Sequence, residues 1–169
     1  MSTTDSILLI SAVISPALII YLLLELNRLQ KKIMAVPVNN TEGNKLKLQA
    51  IERLSLYVER CGLNNLVART DIVGLSASEV HHVLIETIKA EYEYNLSQQI
   101  YINTEVWNAV TKMKDQNIYV INHIAANLPP GATSIDLSKL IIEYSMTPNA
   151  DLNKVVLEAL QYEAQKILR

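Results

Sequence analysis

The chain is poor in the residues that carry nucleophilic and metal chemistry. Its 169 residues include one cysteine, three histidines and four glycines. The lone Cys61 can form no disulfide within the chain, which fits a reducing compartment, and its simplest role is that of a small apolar residue on a helix face. The sequence has no phosphate-binding glycine loop, no CxxC pair and no HExxH zinc motif. We therefore expect no catalytic residue and neither a metal ion nor another cofactor.

One long run also lacks charge altogether. Residues 6–24, SILLISAVISPALIIYLLL, hold nineteen uncharged positions, which as a helix would span about 28 Å, close to the ~30 Å of a hydrocarbon core. Arg28, Lys31 and Lys32 follow the run, whereas no Lys or Arg precedes it. The excess of positive charge on one side predicts a single-pass inner-membrane protein with its N-terminus outside and its C-terminal domain in the cytoplasm. The lipid bilayer is accordingly an expected partner.

Two other interpretations of this run are less favoured. A cleaved signal peptide would have a basic start and a small-residue cleavage site, and neither is present. A buried core helix is usually shorter and carries polar residues along one face.

Composition divides the chain into three predicted parts. Residues 1–34 form the transmembrane anchor and a juxtamembrane helix, residues 35–43 form a linker that contains Pro37 and Gly43, and residues 44–169 form a cytoplasmic α-helical domain. From Lys45 onward the chain carries 12 Lys and Arg against 14 Asp and Glu. Nucleic acid is therefore not an expected partner, because phosphate contacts need clustered Lys and Arg.

Apolar residues recur at helical spacing from residue 44 to the end, and no strand pattern is found. A capping box at Ser76 and Glu79 opens one helix, Asn103 or Thr104 caps the next, and Gly62 stands where a left-handed C-cap would end the first. The predicted helices cover residues 44–61, 64–69, 76–99, 104–127, 134–146 and 151–168. The predicted fold class is all-α, with an N-terminal transmembrane helix followed by a compact bundle of five or six helices.

The most suggestive metal-like spacing is an E-x-x-H pair, Glu79 and His82, with Glu86 one turn later. Di-iron helical bundles use this spacing. A helical wheel gathers the apolar residues of this helix into one sector, Val80, Leu84, Ile85, Ile88 and Tyr92. The three polar residues lie on the opposite side, and no second E-x-x-H occurs, so they are better explained as a solvated face. His81 falls at the edge of the apolar sector, where a partly buried, hydrogen-bonded histidine is expected.

Polar residues also interrupt the apolar faces of two helices. Asn95 falls near the centre of the apolar sector of its helix, with Glu91 and Gln99 at the margins. Asn117 repeats the pattern on the next helix. An unpaired buried polar group costs about 1–3 kcal/mol, so these groups must be either satisfied or exposed.

Three accounts of this cluster stay open. The residues could form an internal hydrogen-bond network with Arg53, Arg60 or Arg69, they could line a groove for a partner with aromatic anchors, or they could border a small-molecule or catalytic pocket. The candidate interaction or polar-core residues are His81, Glu91, Tyr92, Asn95, Gln99, Tyr101, Trp107 and Asn117.

Several short stretches resemble those of a known family. They are ERL at residues 52–54, ER at 59–60, NLV at 65–67 and, as the most specific part, EYEYNLSQQIY at 91–101. Together they resemble an uncharacterised family of bacterial single-pass membrane-anchored helical proteins. The resemblance implies a membrane helix, a linker and a helical cytoplasmic domain, with no known activity and hence no catalytic residue to carry over.

The functional expectation is a membrane-anchored, non-enzymatic interaction or scaffold module of unknown pathway, with an unknown protein partner. The alternative is a ligand-binding or enzymatic helical domain with a polar pocket near His81, Glu91 and Asn95. A homo-oligomer is a further option, since Ser11 and Ser15 give a weak small-xxx-small spacing.

Overall fold

The computed structural model describes residues 21–28, 41–147 and 152–169. The chain divides into two units at Thr41. In the first unit, residues 21–28 are helical. Most of the predicted anchor, residues 6–20, and most of the predicted linker, residues 35–40, lie outside the described residues.

The predicted localisation is contradicted. None of the helices in the described part of the chain is long and apolar enough to cross a membrane. The described helices of sufficient length each carry charged residues on an exposed face, whereas a lipid-crossing helix must be predominantly apolar. The prediction of a single-pass inner-membrane protein with an outside N-terminus and a cytoplasmic domain is therefore wrong by this finding.

Residues 41–147 and 152–169 fold as a helical bundle that contains six α-helices, one 3-10 helix and no strand. The α-helices are α1 (Thr41–Cys61), α2 (Leu63–Ala68), α3 (Ala77–Tyr94), α4 (Thr104–Ala126), α5 (Ser134–Ser145) and α6 (Leu152–Leu168). The 3-10 helix, Leu96–Ile100, lies between α3 and α4. The prediction of an all-α helical bundle is confirmed.

The apolar faces of all six helices meet in one core. Helix α4 packs against α3, α5 and α6, and α5 also packs against α2 and α3. Burying each large apolar side chain contributes roughly 1.5–3 kcal/mol, so this shared core dominates the stability of the bundle. Its largest fully buried side chains are Tyr57, Leu54, Leu66, Leu84, Ile88, Met113, Ile121, Leu137, Ile141 and Leu160.

Side-chain caps fix where three helices begin. Ser76 and Glu79 form the predicted capping box of α3, with the Ser76 amide donating to the Glu79 carboxylate over 2.8 Å. Thr133 and Asp136 form a second capping box at α5, and the two N-cap residues Ser76 and Thr133 are joined by an isolated β-bridge. Asn103 caps α4 by accepting from the Val106 amide. The predicted caps at Ser76 and Asn103 are confirmed.

The end of α1 differs from the prediction. Gly62 has φ −58° and ψ 134°, so it is not a left-handed C-cap but an extended residue between α1 and α2. A Cβ atom at this position would overlap the side-chain amide of Asn153. Close approach of a neighbouring side chain, rather than a positive φ, therefore explains the glycine.

Helix α3 ends earlier than the periodicity suggests. It stops at Tyr94, and the chain tightens into the 3-10 helix from Leu96 to Ile100 instead of continuing to Gln99. The Asn95 side chain donates to the Glu91 carbonyl over 2.8 Å, which satisfies one of the carbonyl groups left open where α3 ends.

Candidate functional site

The C-terminal end of α1 is capped by side chains from distant parts of the chain. The last carbonyl groups of a helix have no partner within it and must be satisfied from outside. Four side-chain nitrogens donate to carbonyls here: Asn153 Nδ2 to Val58 O (3.1 Å), Asn65 Nδ2 to Glu59 O (2.9 Å), Arg69 Nε to Arg60 O (3.1 Å) and Asn117 Nδ2 to Cys61 O (2.9 Å). Of these carbonyls, Val58 O also accepts from the Gly62 amide over 3.0 Å. The donors come from α2, α4, α6 and the loop after α2, so this end of α1 joins much of the bundle.

Asn117 is the most buried of these donors. Only 3% of its surface is exposed, and its bond to Cys61 links α4 to α1 across 56 residues of sequence. The wheel prediction that Asn117 faces the core is confirmed. The Asn117 amide nitrogen therefore donates within the core rather than to a partner.

Glu91 belongs to a charge cluster beside this cap. Its carboxylate lies 2.6 Å from Arg60 Nη2 and 3.4 Å from Arg69 Nη2. Arg60 and Arg69 are two of the three arginines considered from sequence, whereas Arg53 lies over the ring of Tyr94, 5.0 Å from its centroid. Because the cluster is partly exposed, each pair contributes at most about 1 kcal/mol.

The wheel placed Asn95 near the centre of the apolar sector of its helix and Gln99 at its margin, and it made no prediction for Gln98. Asn95 is buried as predicted, with 5% of its surface exposed. Gln99 is exposed, and the neighbouring Gln98 is buried instead, with its amide donating to Ser97 Oγ over 3.0 Å. The wheel does not apply at Gln99 because the α-helix has already ended at Tyr94.

Two of the predicted aromatic anchors are part of the packing between α3 and α4. The Tyr92 ring stacks on Trp107 with centroids 5.4 Å apart and meets Tyr57 edge-on at 6.1 Å. The Tyr92 hydroxyl shares a 3.0 Å hydrogen bond with Thr111, and the Lys114 ammonium lies 4.5 Å from the ring centroid. Both rings are half-buried by these contacts.

Two buried groups lie one turn apart on α1. Burial, and after it the nearby Glu91 carboxylate, raise the pKa of the Cys61 thiol to about 12. Burial also raises the pKa of Tyr57, whose hydroxyl lies near the Cys61 thiol. Cys61 is thus a protonated thiol at neutral pH and a poor nucleophile.

His81 borders an open groove between the start of α3 and the end of α4, which we call the His81 groove. His81 is half-buried, and its Nε2 lies 2.8 Å from Asn122 Oδ1, so the expected partly buried, hydrogen-bonded histidine is confirmed. The groove has a volume of about 650 Å³. Its lining residues are Ser76, Ala77, Ser78, His81, Asn122, Ala125, Ala126, Leu128, Pro129, Gly131 and Ala132. Glu91 and Asn95 do not line it, so the structure does not bring these three predicted residues together.

Tyr101 borders a second groove, which we call the Tyr101 groove. It lies between the first half of α1, the connection into α4 and the last turns of α6, with a volume of about 470 Å³. Its lining residues are Lys47, Ile51, Ile100, Tyr101, Ile102, Asn103, Glu163, Lys166 and Ile167. Apart from Tyr101 and the predicted helix cap Asn103, none of these residues was singled out from sequence, because the groove is assembled from segments that are distant along the chain.

The residues of the E-x-x-H spacing lie on the solvated face of α3, as the helical wheel predicted. Glu79, His82 and Glu86 are exposed on α3, opposite the buried Val80 and Leu84. In the ranges that the structure describes, no group of three or more His, Cys, Asp or Glu side chains could hold a metal ion. The described residues instead form the His81 groove, the Tyr101 groove and a polar network at the C-terminal end of α1.

Comparison with known proteins identifies a family but no relative of known activity. The model of a family of unknown function, DUF7935, matches residues 3–167. No curated protein and no solved structure matches the chain. The expectation of an uncharacterised family is confirmed, and the chain belongs to DUF7935.

Proposed function

We propose that the helical bundle is a non-enzymatic interaction module that docks a protein partner in the Tyr101 groove. The observation that carries this proposal is the combination of an apolar floor with unused polar groups at one open surface. Ile51 is buried and Ile102 and Ile167 are partly buried in the same core. Lys47 and the Tyr101 hydroxyl make no hydrogen bond or ion pair with another described residue.

The other candidate residues favour the Tyr101 groove as the docking site because their own polar and aromatic groups already contact other parts of the chain. Asn95 and Asn117 donate to backbone carbonyls, and Glu91 is paired with two arginines. Tyr92 and Trp107 are held in an aromatic stack. The main polar and aromatic groups of these residues are thus engaged within the chain, whereas Lys47 and the Tyr101 hydroxyl in the Tyr101 groove make no such contact.

Ile100 adds an exposed apolar side chain to the lining of the groove. It is 72% exposed although it is large and aliphatic. A single exposed aliphatic residue is common on soluble proteins, but one at the rim of an apolar groove is typical of an interaction site.

Quantitative affinity capture with the full chain tests the proposal. The comparison uses the native sequence, Ile100→Asp in the groove, and Tyr119→Asp as a matched control, because Tyr119 is a comparably exposed large residue on the outer face of α4. We expect Ile100→Asp to remove a defined set of bound proteins that Tyr119→Asp retains, with both variants folded by circular dichroism. Identical bound proteins for all three chains would contradict docking in this groove.

A second candidate function is small-molecule binding in the His81 groove. Its volume of about 650 Å³ lies within the ~300–1,000 Å³ common for ligand pockets, and the polar His81 and Asn122 converge on a mostly apolar lining. Thermal-shift screening of the native chain against Asn122→Ala tests it. A compound that stabilises the native chain and not the variant would favour this function, and equal stabilisation would count against it.

A further inference from the structure

We infer that the segment docked in the Tyr101 groove is an acidic peptide whose carboxylate is flanked by apolar side chains. This inference rests on the proposed function and specifies its partner. It is based on the donors, the charge balance and the apolar surface of the groove.

The free polar groups of the groove are donors. The Lys47 ammonium can only donate, and the Tyr101 hydroxyl can donate to a bound acceptor. The Asn103 side-chain oxygen already accepts from the Val106 amide over 2.8 Å, which leaves the amide nitrogen of that side chain available. A carboxylate is the protein group that matches such a set, because it only accepts and forms stronger hydrogen bonds with charged donors.

The charges of the groove are unequal on its two walls. On α6, Lys166 donates to the Glu163 carboxylate over 2.7 Å and also lies over the Tyr162 ring. Glu105 on α4 also acts on Lys166. On α1, Lys47 forms no ion pair with a described residue. This unpaired positive charge on the α1 wall favours an acidic segment there.

The apolar surface indicates a chain segment rather than a small metabolite. Ile51, Ile102 and Ile167 would receive apolar side chains, and the exposed Ile100 adds a fourth isoleucine to the lining. The four isoleucines lie along one open groove, where they can contact several apolar side chains of one partner. An extended peptide with alternating apolar and acidic residues meets these requirements, since successive side chains point to opposite faces.

Selection from a random dodecapeptide display library on the immobilised full chain tests this inference. We expect the enriched peptides to contain Glu or Asp next to Leu, Ile, Val or an aromatic residue. Replacing their acidic residues by Gln or Asn should weaken binding about two- to fivefold per exposed charge pair, and Lys47→Gln should remove that difference. Lys45→Gln is the matched control, because Lys45 is an exposed lysine of the same helix that does not line the groove.

The possible outcomes separate the inference from the proposed function. Enriched peptides without acidic residues whose binding is lost with Ile100→Asp would overturn the acidic partner and leave docking in the groove intact. Peptides whose binding survives Ile100→Asp would overturn both. A selection that enriches no peptide, or that enriches segments of this chain itself and so indicates a second copy, would also overturn the inference.

Discussion

Replacement of Asn117 by alanine should destabilise the bundle more than its size suggests. The substitution leaves the Cys61 carbonyl without its 2.9 Å donor in a site that is closed to water, because Asn117 is 3% exposed. An orphaned buried polar group costs about 1–3 kcal/mol, which is a large share of the 5–15 kcal/mol typical of a folded domain. Urea denaturation followed by circular dichroism measures this loss as a lower midpoint.

Asn127 provides the matched control for this prediction. Its side chain also donates to a helix carbonyl, that of His123 over 2.7 Å, but at an exposed position. Water can replace that bond, so Asn127→Ala should change the free energy of unfolding by no more than about 0.5 kcal/mol.

A third variant, Asn117→Asp, tests the chemistry of the bond. A carboxylate facing the Cys61 carbonyl should destabilise the fold strongly at neutral pH and less at acidic pH, where the protonated carboxyl can donate. Equal losses for Asn117→Ala and Asn127→Ala, together with no pH dependence for Asn117→Asp, would refute the reasoning.

Three further predictions follow from the caps and the buried thiol. Gly62→Ala should cost about 1 kcal/mol in thermal or urea unfolding because it displaces the Asn153 amide from its carbonyl, and this cost should shrink in an Asn153→Ala background. Ser76→Ala should lower the free energy of unfolding by about 0.5–2 kcal/mol through loss of the α3 cap. Hydrogen bonds from Ser76 lower the pKa of the Glu79 carboxyl in the folded protein. The stabilisation that the ionised Glu79 provides is therefore complete above the pKa of this carboxyl in the unfolded chain, and it is lost as the pH falls through the pKa in the folded protein. The difference in free energy of unfolding between the native chain and Ser76→Ala should accordingly narrow on acidification. Cys61 should resist iodoacetamide at pH 8 in the folded protein and react after unfolding, as mass spectrometry would show; rapid modification of the folded chain would contradict its burial.

The local features of the fold were predictable from sequence. Helical periodicity located the helices, and the capping box at Ser76 marked the start of α3 because such caps depend only on residues within one turn. The helical wheel correctly predicted that Asn95 and Asn117 face the core, because the α-helical spacing continues as far as these two residues. The predicted end of α3 at Gln99 was wrong, because a 3-10 helix replaces the α-helix from Leu96 to Ile100.

Non-local features could not be predicted in this way. Gly62 was assigned to a left-handed cap because nothing in the local sequence reveals the approach of Asn153 from α6. The Tyr101 groove joins Lys47 on α1 to Lys166 on α6, and only the packing of the helices brings them to one surface. Sequence therefore identified Tyr101 as a candidate without identifying the residues that surround it.

Site-specific photocrosslinking tests docking in the Tyr101 groove most directly. A photoreactive phenylalanine analogue would replace Ile100 at the groove rim or, as control, Tyr119 on the outer face of α4, in the full chain within the cells that produce it. Docking in the groove predicts a discrete protein adduct from position 100, absent from position 119, that an acidic–apolar dodecapeptide reduces in lysate. No adduct from position 100, or the same adducts from both positions, would contradict it.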